Sequence, residues 1–115
     1  MTKNLYQEAL PISREDAEAA FSSGASERIC DALVRVTFNE SDWRWVQEKC
    51  LDFINSSYPD VRGLAVTCLG HLARIHRKLD LKKVLPLLKN LRNDEQVSGR
   101  VEDAFDDIET FVDNK

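Results

Sequence analysis

Apolar positions along this chain recur every three to four residues and nowhere sustain alternation at two, so the pattern predicts helix nearly throughout. Val61, Leu64, Ala65, Cys68, Leu69, Leu72, Ile75 and Leu79 fall on one stripe, since each residue turns a helix by about 100°. The stretch Ser57-Tyr58-Pro59-Asp60 before it predicts the start: Ser as cap, Pro tolerated in the first turn, Asp at the positive end of the dipole. Trp43, Val46, Cys50, Phe53 and Ile54 form an earlier stripe, opened by Ser41 or Asp42. Ser13-Arg14-Glu15-Asp16 opens a helix through about Phe21, and Ser23-Gly24-Ala25-Ser26 turns the chain into Ile29, Ala32, Leu33 and Val36. Val84, Leu85, Leu87, Leu88 and Leu91 make a helix starting near Asp80. Val97, Val101, Ala104, Phe105, Ile108 and Val112 make the last, capped by Asn93-Asp94-Glu95-Gln96.

Every second helix aligns at a spacing of 36 residues: Ala25, Val61 and Val97; Ile29, Ala65 and Val101; Ala32, Cys68 and Ala104; Leu33, Leu69 and Phe105; Val36, Leu72 and Ile108. This predicts an all-α chain of three stacked helical hairpins, over about 13–39, 41–79 and 80–113, in one domain spanning 1–115. A hairpin alone leaves one face uncovered, and stacking buries a continuous core. Gly63 and Gly99 also align, which predicts close helix packing at both.

Length and composition narrow the reading. The chain has 115 residues, 43% hydrophobic and 31% charged, enough for one globular domain. Its formal net charge of −4 argues against a general nucleic-acid binder that neutralises phosphates. No apolar run is long enough to span a bilayer, and Met1 to Glu8 lacks the features of a secretory signal, so a cytoplasmic protein is expected. The charge is polarised along the chain. Residues 1–41 hold 4 basic and 7 acidic side chains, 42–79 hold 6 and 4, and 80–115 hold 6 and 9.

No residue constellation specifies an enzyme. Serines sit at predicted helix ends, glycines form no phosphate-cradling run, and no base is positioned beside a nucleophile. Cys30, Cys50 and Cys68 are an odd number on apolar stripes and read as buried free thiols. His71 and His76 lie about 140° apart on one helix, too far round to share a metal with Cys68. They read as a surface or groove residue and a partly buried flank residue, respectively, and neither metal nor cofactor is expected. The last helix presents Glu102, Asp106, Glu109 and Asp113 along one line with Asp103 and Asp107 beside it, and the middle second helix offers Arg62, His71, Arg74, Arg77 and Lys78. Trp43 and Trp45 are about 200° apart, which predicts Trp43 in the stripe and Trp45 either exposed as a contact hot spot or covering the neighbouring hairpin.

Pro59 to Ala73, with its Val61-Arg62, Ala65 and Leu69-Gly70 positions, resembles the second helix of a HEAT repeat. Val84 to Leu91, with its mid-helix Pro86, resembles the first; in the opening repeat Ala25-Ser26 stands where the Val-Arg pair would be. The resemblance implies a short α-solenoid whose second helices line a concave binding face. A small acidic chain of this kind is similar to the immunity proteins of bacterial contact-dependent growth inhibition and related polymorphic toxin systems. That resemblance implies a protein partner, a basic toxin domain and often a nuclease, inhibited in a 1:1 complex by occlusion of its active site. Glu102, Asp103, Asp106 and Asp107 would then meet the basic surface, with Glu109 and Asp113 at the rim and His71, Arg74 and Trp45 as further contacts. The alternative reading is a HEAT-like adaptor or scaffold subunit of a larger assembly.

Overall fold

In the computed structural model, which describes residues 9–113, side-chain caps open two of six helices as the sequence suggests. α1 (Arg14–Phe21) starts where Ser13 Oγ accepts from the Asp16 amide at 3.0 Å, and α3 (Trp43–Phe53) where Asp42 accepts from the Trp45 amide at 3.2 Å. α2 (Ser26–Asn39) follows a turn in which Gly24 takes φ +73°, left-handed backbone that suits glycine. α4 (Pro59–His76) corrects the expected cap: Tyr58, not Ser57, holds the cap position without a side-chain bond, and Pro59 opens the helix where no amide donor is needed. It ends at Arg77, whose left-handed backbone (φ 58°) lets its N–H return to Ala73 O at 3.0 Å. α5 (Leu81–Asn90) continues through Pro86, and α6 (Ser98–Phe111) corrects a second expected cap: Val97 holds the position without a side-chain bond, because the Asp94 carboxylate accepts from the Gln96 amide within the preceding turn. No strand occurs among the described residues, and none of their helices is long and apolar enough to cross a membrane. Met1 to Glu8, where no signal sequence is expected, lies outside them.

α4 is the centre of the molecule. It packs against α2 on one flank and α6 on the other, while α1 covers α2, and α3 covers both α2 and α4. Leu33 and Val36 of α2, Val46 and Cys50 of α3, Leu69 and Leu72 of α4, Val84 and Leu88 of α5, and Val101 of α6 share the core. Each such aliphatic side chain contributes about 1.5–3 kcal/mol by leaving water. The expected α4 stripe holds except at its C-terminal end: Ile75 is 44% exposed, whereas Leu79, beyond the helix, is buried. Cys50 and Cys68 are buried free thiols, but Cys30 is only half-buried, bordering a surface hollow with Glu27 and Asp60.

Most of the polar bridges between elements tie positions about one repeat spacing apart. Arg62 donates to Ser56 O at 3.0 Å, Asp94 at 3.0 Å and Gln96 Oε1 at 2.8 Å. The buried Gln47 accepts from the Asp80 amide at 2.7 Å, and Arg77 pairs with Asp113 at 3.2 Å. The two aligned glycines part company. A Cβ on Gly63 would stand 2.9 Å from Arg100 Cδ, so close packing explains it, whereas Gly99 has nothing within 4 Å among the described residues. Gly70, one heptad after Gly63, faces α6 backbone, with Ala104 Cα 3.5 Å from where its Cβ would be.

Candidate functional site

Where α4 and α6 run side by side, their outer edges enclose a groove of about 400 Å³. It is lined by Thr67, His71 and Arg74 of α4 and by Arg100, Asp103, Asp106 and Asp107 of α6, with Ala104 at its floor. The glycines of α4 make this arrangement possible. The Arg100 side chain lies over Gly63 and the Asp107 carboxylate over Gly70, positions that any larger residue would contest.

The polar geometry is specific. Arg100 Nη1 donates to Thr67 Oγ1 at 2.7 Å, and Arg74 Nη2 donates to His71 Nδ1 at 3.0 Å. The His71 ring lies 5.0 Å from the Phe38 ring of α2, and burial, reinforced by the Arg74 charge, pushes its pKa down to about 4. His71 is therefore neutral at physiological pH; accepting at Nδ1 places its proton on Nε2. On the opposite wall, burial raises the pKa of Asp107, Arg74 opposes the rise, and the charges of Asp103 and Asp106 add to it. Among the described residues no group of three or more His, Cys, Asp or Glu is placed to hold a metal.

The residues singled out from the sequence thus divide. Asp103, Asp106, Asp107, His71 and Arg74 come together in the groove. Glu102 turns to the other side, 3.2 Å from Arg92, whose guanidinium also lies 4.3 Å from the centre of the Phe105 ring. Asp113 is bound to Arg77 at the C-terminal end of α4, and Glu109 is exposed on α6. Trp45 is elsewhere. It packs in the seam between α1 and α3, 6.4 Å from Phe21 and under the Arg14 guanidinium at 4.6 Å, against the core rather than in open solvent. Of the two expectations for Trp45, cover for the neighbouring hairpin holds and the exposed hot spot does not; both indoles are partly buried. Trp43 is outside the core cluster and borders a surface hollow with Leu79 and Lys82, because α1 covers the side of α3 on which Trp45 falls.

Two groove residues escaped sequence reasoning, Arg100 and Thr67. The signal for Arg100 was present, since it shares a helix face with Asp103 and Asp107 at i+3 and i+7. Thr67 carried none, because its role depends on a partner 33 residues away.

No protein-family model matches the chain, and no curated protein does. Among solved structures, a chain in "Crystal structure of CDI complex from Cupriavidus taiwanensis LMG 19424" is similar to it at 32% identity and a TM-score of 0.83. The similarity covers 96% of this chain and 97% of that one.

Proposed function

This chain belongs to the same family as the CDI-complex component it matches, and on that premise we propose that it is an immunity protein of contact-dependent growth inhibition. It acts as a non-catalytic binding module that neutralises a cognate toxin. The observation that carries the reading is full-length similarity, 32% identity over 96% and 97% of the two chains, to a component of a CDI complex. The net charge of −4 favours the inhibitor over the toxin side of such a pair, because an acidic protein can cover the basic substrate-binding surface of a nuclease and compete with its nucleic acid.

In this reading the three hairpins form a short HEAT-like solenoid, and the α4–α6 face is the contact surface. Asp103, Asp106 and Asp107 supply its central charges, Glu102, Glu109 and Asp113 its periphery, and His71 and Arg74 its α4 side. Trp45 belongs to the packing of α1 on α3. The protein works in the cytoplasm as a monomer, one copy per toxin domain, and inhibits by occlusion.

The test is growth protection. Expressing the toxin domain encoded beside this chain's gene should arrest bacteria, and co-expressing the chain should restore growth. Light scattering of the purified pair should give a 1:1 complex. Absence of both protection and complex formation would overturn the proposal.

A further inference from the structure

We propose that the α4–α6 groove is a two-sign socket, which seats a basic side chain of the protein partner against Asp103, Asp106 and Asp107 and a neighbouring carboxylate of the same partner between Arg74 and Arg100. This rests on the toxin-binding reading above and deepens it. The partner surface is thereby specified as one that carries both signs within a few ångströms, not a uniformly basic one.

The geometry of the two arginines is the ground for it. They reach the groove from different helices, and each is steadied by a neutral acceptor: Arg100 by the Thr67 hydroxyl at 2.7 Å, Arg74 by His71 Nδ1 at 3.0 Å. A neutral acceptor orients a guanidinium without compensating its charge, and it takes one of five N–H donors, leaving the planar fork for a carboxylate. Both also line the cavity they share with three carboxylates. Several other cations meet a carboxylate instead. Arg14, Lys49, Arg62, Arg77, Lys83 and Arg92 each lie within 3.4 Å of a carboxylate oxygen.

The acidic wall has a matching need. Asp107 is partly buried over Gly70, with Asp103 and Asp106 adding like charge from its own helix and Arg74 opposing them. A cation brought by the partner offsets that crowding, as an opposite charge within a few ångströms does for any carboxylate. His71 is a positioning residue here: its neutral ring, set against Phe38, holds Arg74 in place.

The sign of an arginine reversal decides the matter. A uniformly basic partner would gain from Arg74→Glu or Arg100→Glu, since each removes a repulsive charge. A two-sign partner should lose affinity by at least about tenfold with each. Calorimetric titration of the purified toxin domain with wild type, Arg74→Glu, Arg100→Glu and the milder Arg74→Gln separates these cases, and thermal melting confirms that each variant folds. His71→Leu should weaken binding in the wild-type background and add nothing in the Arg74→Gln background, a non-additivity that a purely structural defect would not produce. Affinity unchanged or raised by both arginine reversals overturns the socket while leaving the toxin reading intact, because the wild type still binds. Failure of the wild type to bind overturns the toxin reading, and the socket with it.

Discussion

The seam between α1 and α3 and the groove between α4 and α6 contain the same inventory of charge, two cations and three carboxylates, arranged in opposite ways. In the seam Arg14 bonds Asp42 at 2.9 Å and Glu40 at 3.4 Å, and Lys49 meets Glu18 at 2.7 Å. Both cations also lie over aromatic rings, Arg14 on Trp45 and Lys49 on Trp45 and Phe21. In the groove the two arginines lean instead on a hydroxyl and a neutral imidazole. Charges that satisfy one another inside the chain hold elements together, whereas charges held apart by neutral acceptors are still available to a partner. The count of charges is the same in the two regions, and their pairing differs between a packing seam and a recognition surface.

The strongest way to break this contrast is to reverse the acidic wall. Asp106→Lys with Asp107→Lys should weaken toxin binding by about 100-fold or more, roughly 3 kcal/mol, because like charges juxtaposed at an interface are costly. Stability should change by only about ±0.5 kcal/mol, as for most surface substitutions. Titration calorimetry across a salt series, with a thermal melt as control, reads both. Unchanged affinity would move the contact surface away from α6.

Next in size is the packing that brings the two helices together. Gly70→Val should destabilise the fold by about 2–3 kcal/mol in urea unfolding, since overpacking is costly where backbone cannot yield. Its Cβ would stand 2.8 Å from Asp107 Oδ2 and 3.5 Å from Ala104 Cα. Gly99→Ala meets nothing within 4 Å and should stabilise α6 by up to about 1 kcal/mol. Trp45→Ala sharpens the contrast from the other region. It should cost about 2 kcal/mol, less than a fully buried Trp because the indole is only partly covered, and leave toxin affinity unchanged.

The smallest expected effect is a pH dependence. The pKa of His71 falls from 6.5 to about 4 on folding, so between those values the unfolded chain binds more protons than the native one, and stability declines as pH drops from 6.5 toward 4. With the ring about half exposed, solvent screening limits the contribution to below about 1 kcal/mol. The melting temperature of wild type relative to His71→Gln should fall as pH drops from 6.5 toward 4, with burial of His76 leaving a residual slope in both. Parallel curves from pH 7 to 4 would remove His71 from the linkage.

Much of the fold was legible locally. Ser13 and Asp42 cap helices, Pro59 opens one, and the apolar stripes are helical because a cap bond spans three residues and a stripe repeats every three to four. The misread positions are those whose environment comes from a distant element. Ile75 continues a stripe by period yet is 44% exposed, Gly99 has no close neighbour where Gly63 has Arg100, and α1 gives Trp45 its cover. In the site, the carboxylates of α6 were visible as a line on one helix, but Glu102 and Asp113 proved to be engaged by Arg92 and Arg77.

The sequence by itself therefore determined where the helices lie, which faces they bury and that the last one is acidic, because these depend on residues within a turn or two of each other. Only the tertiary structure decided which charges are compensated and which remain for a partner. That outcome turns on helix separations set by Gly63 and Gly70 and on contacts between residues such as Arg100 and Thr67, 33 positions apart, and Coulomb and hydrogen-bond energies change steeply over distances that no linear spacing specifies.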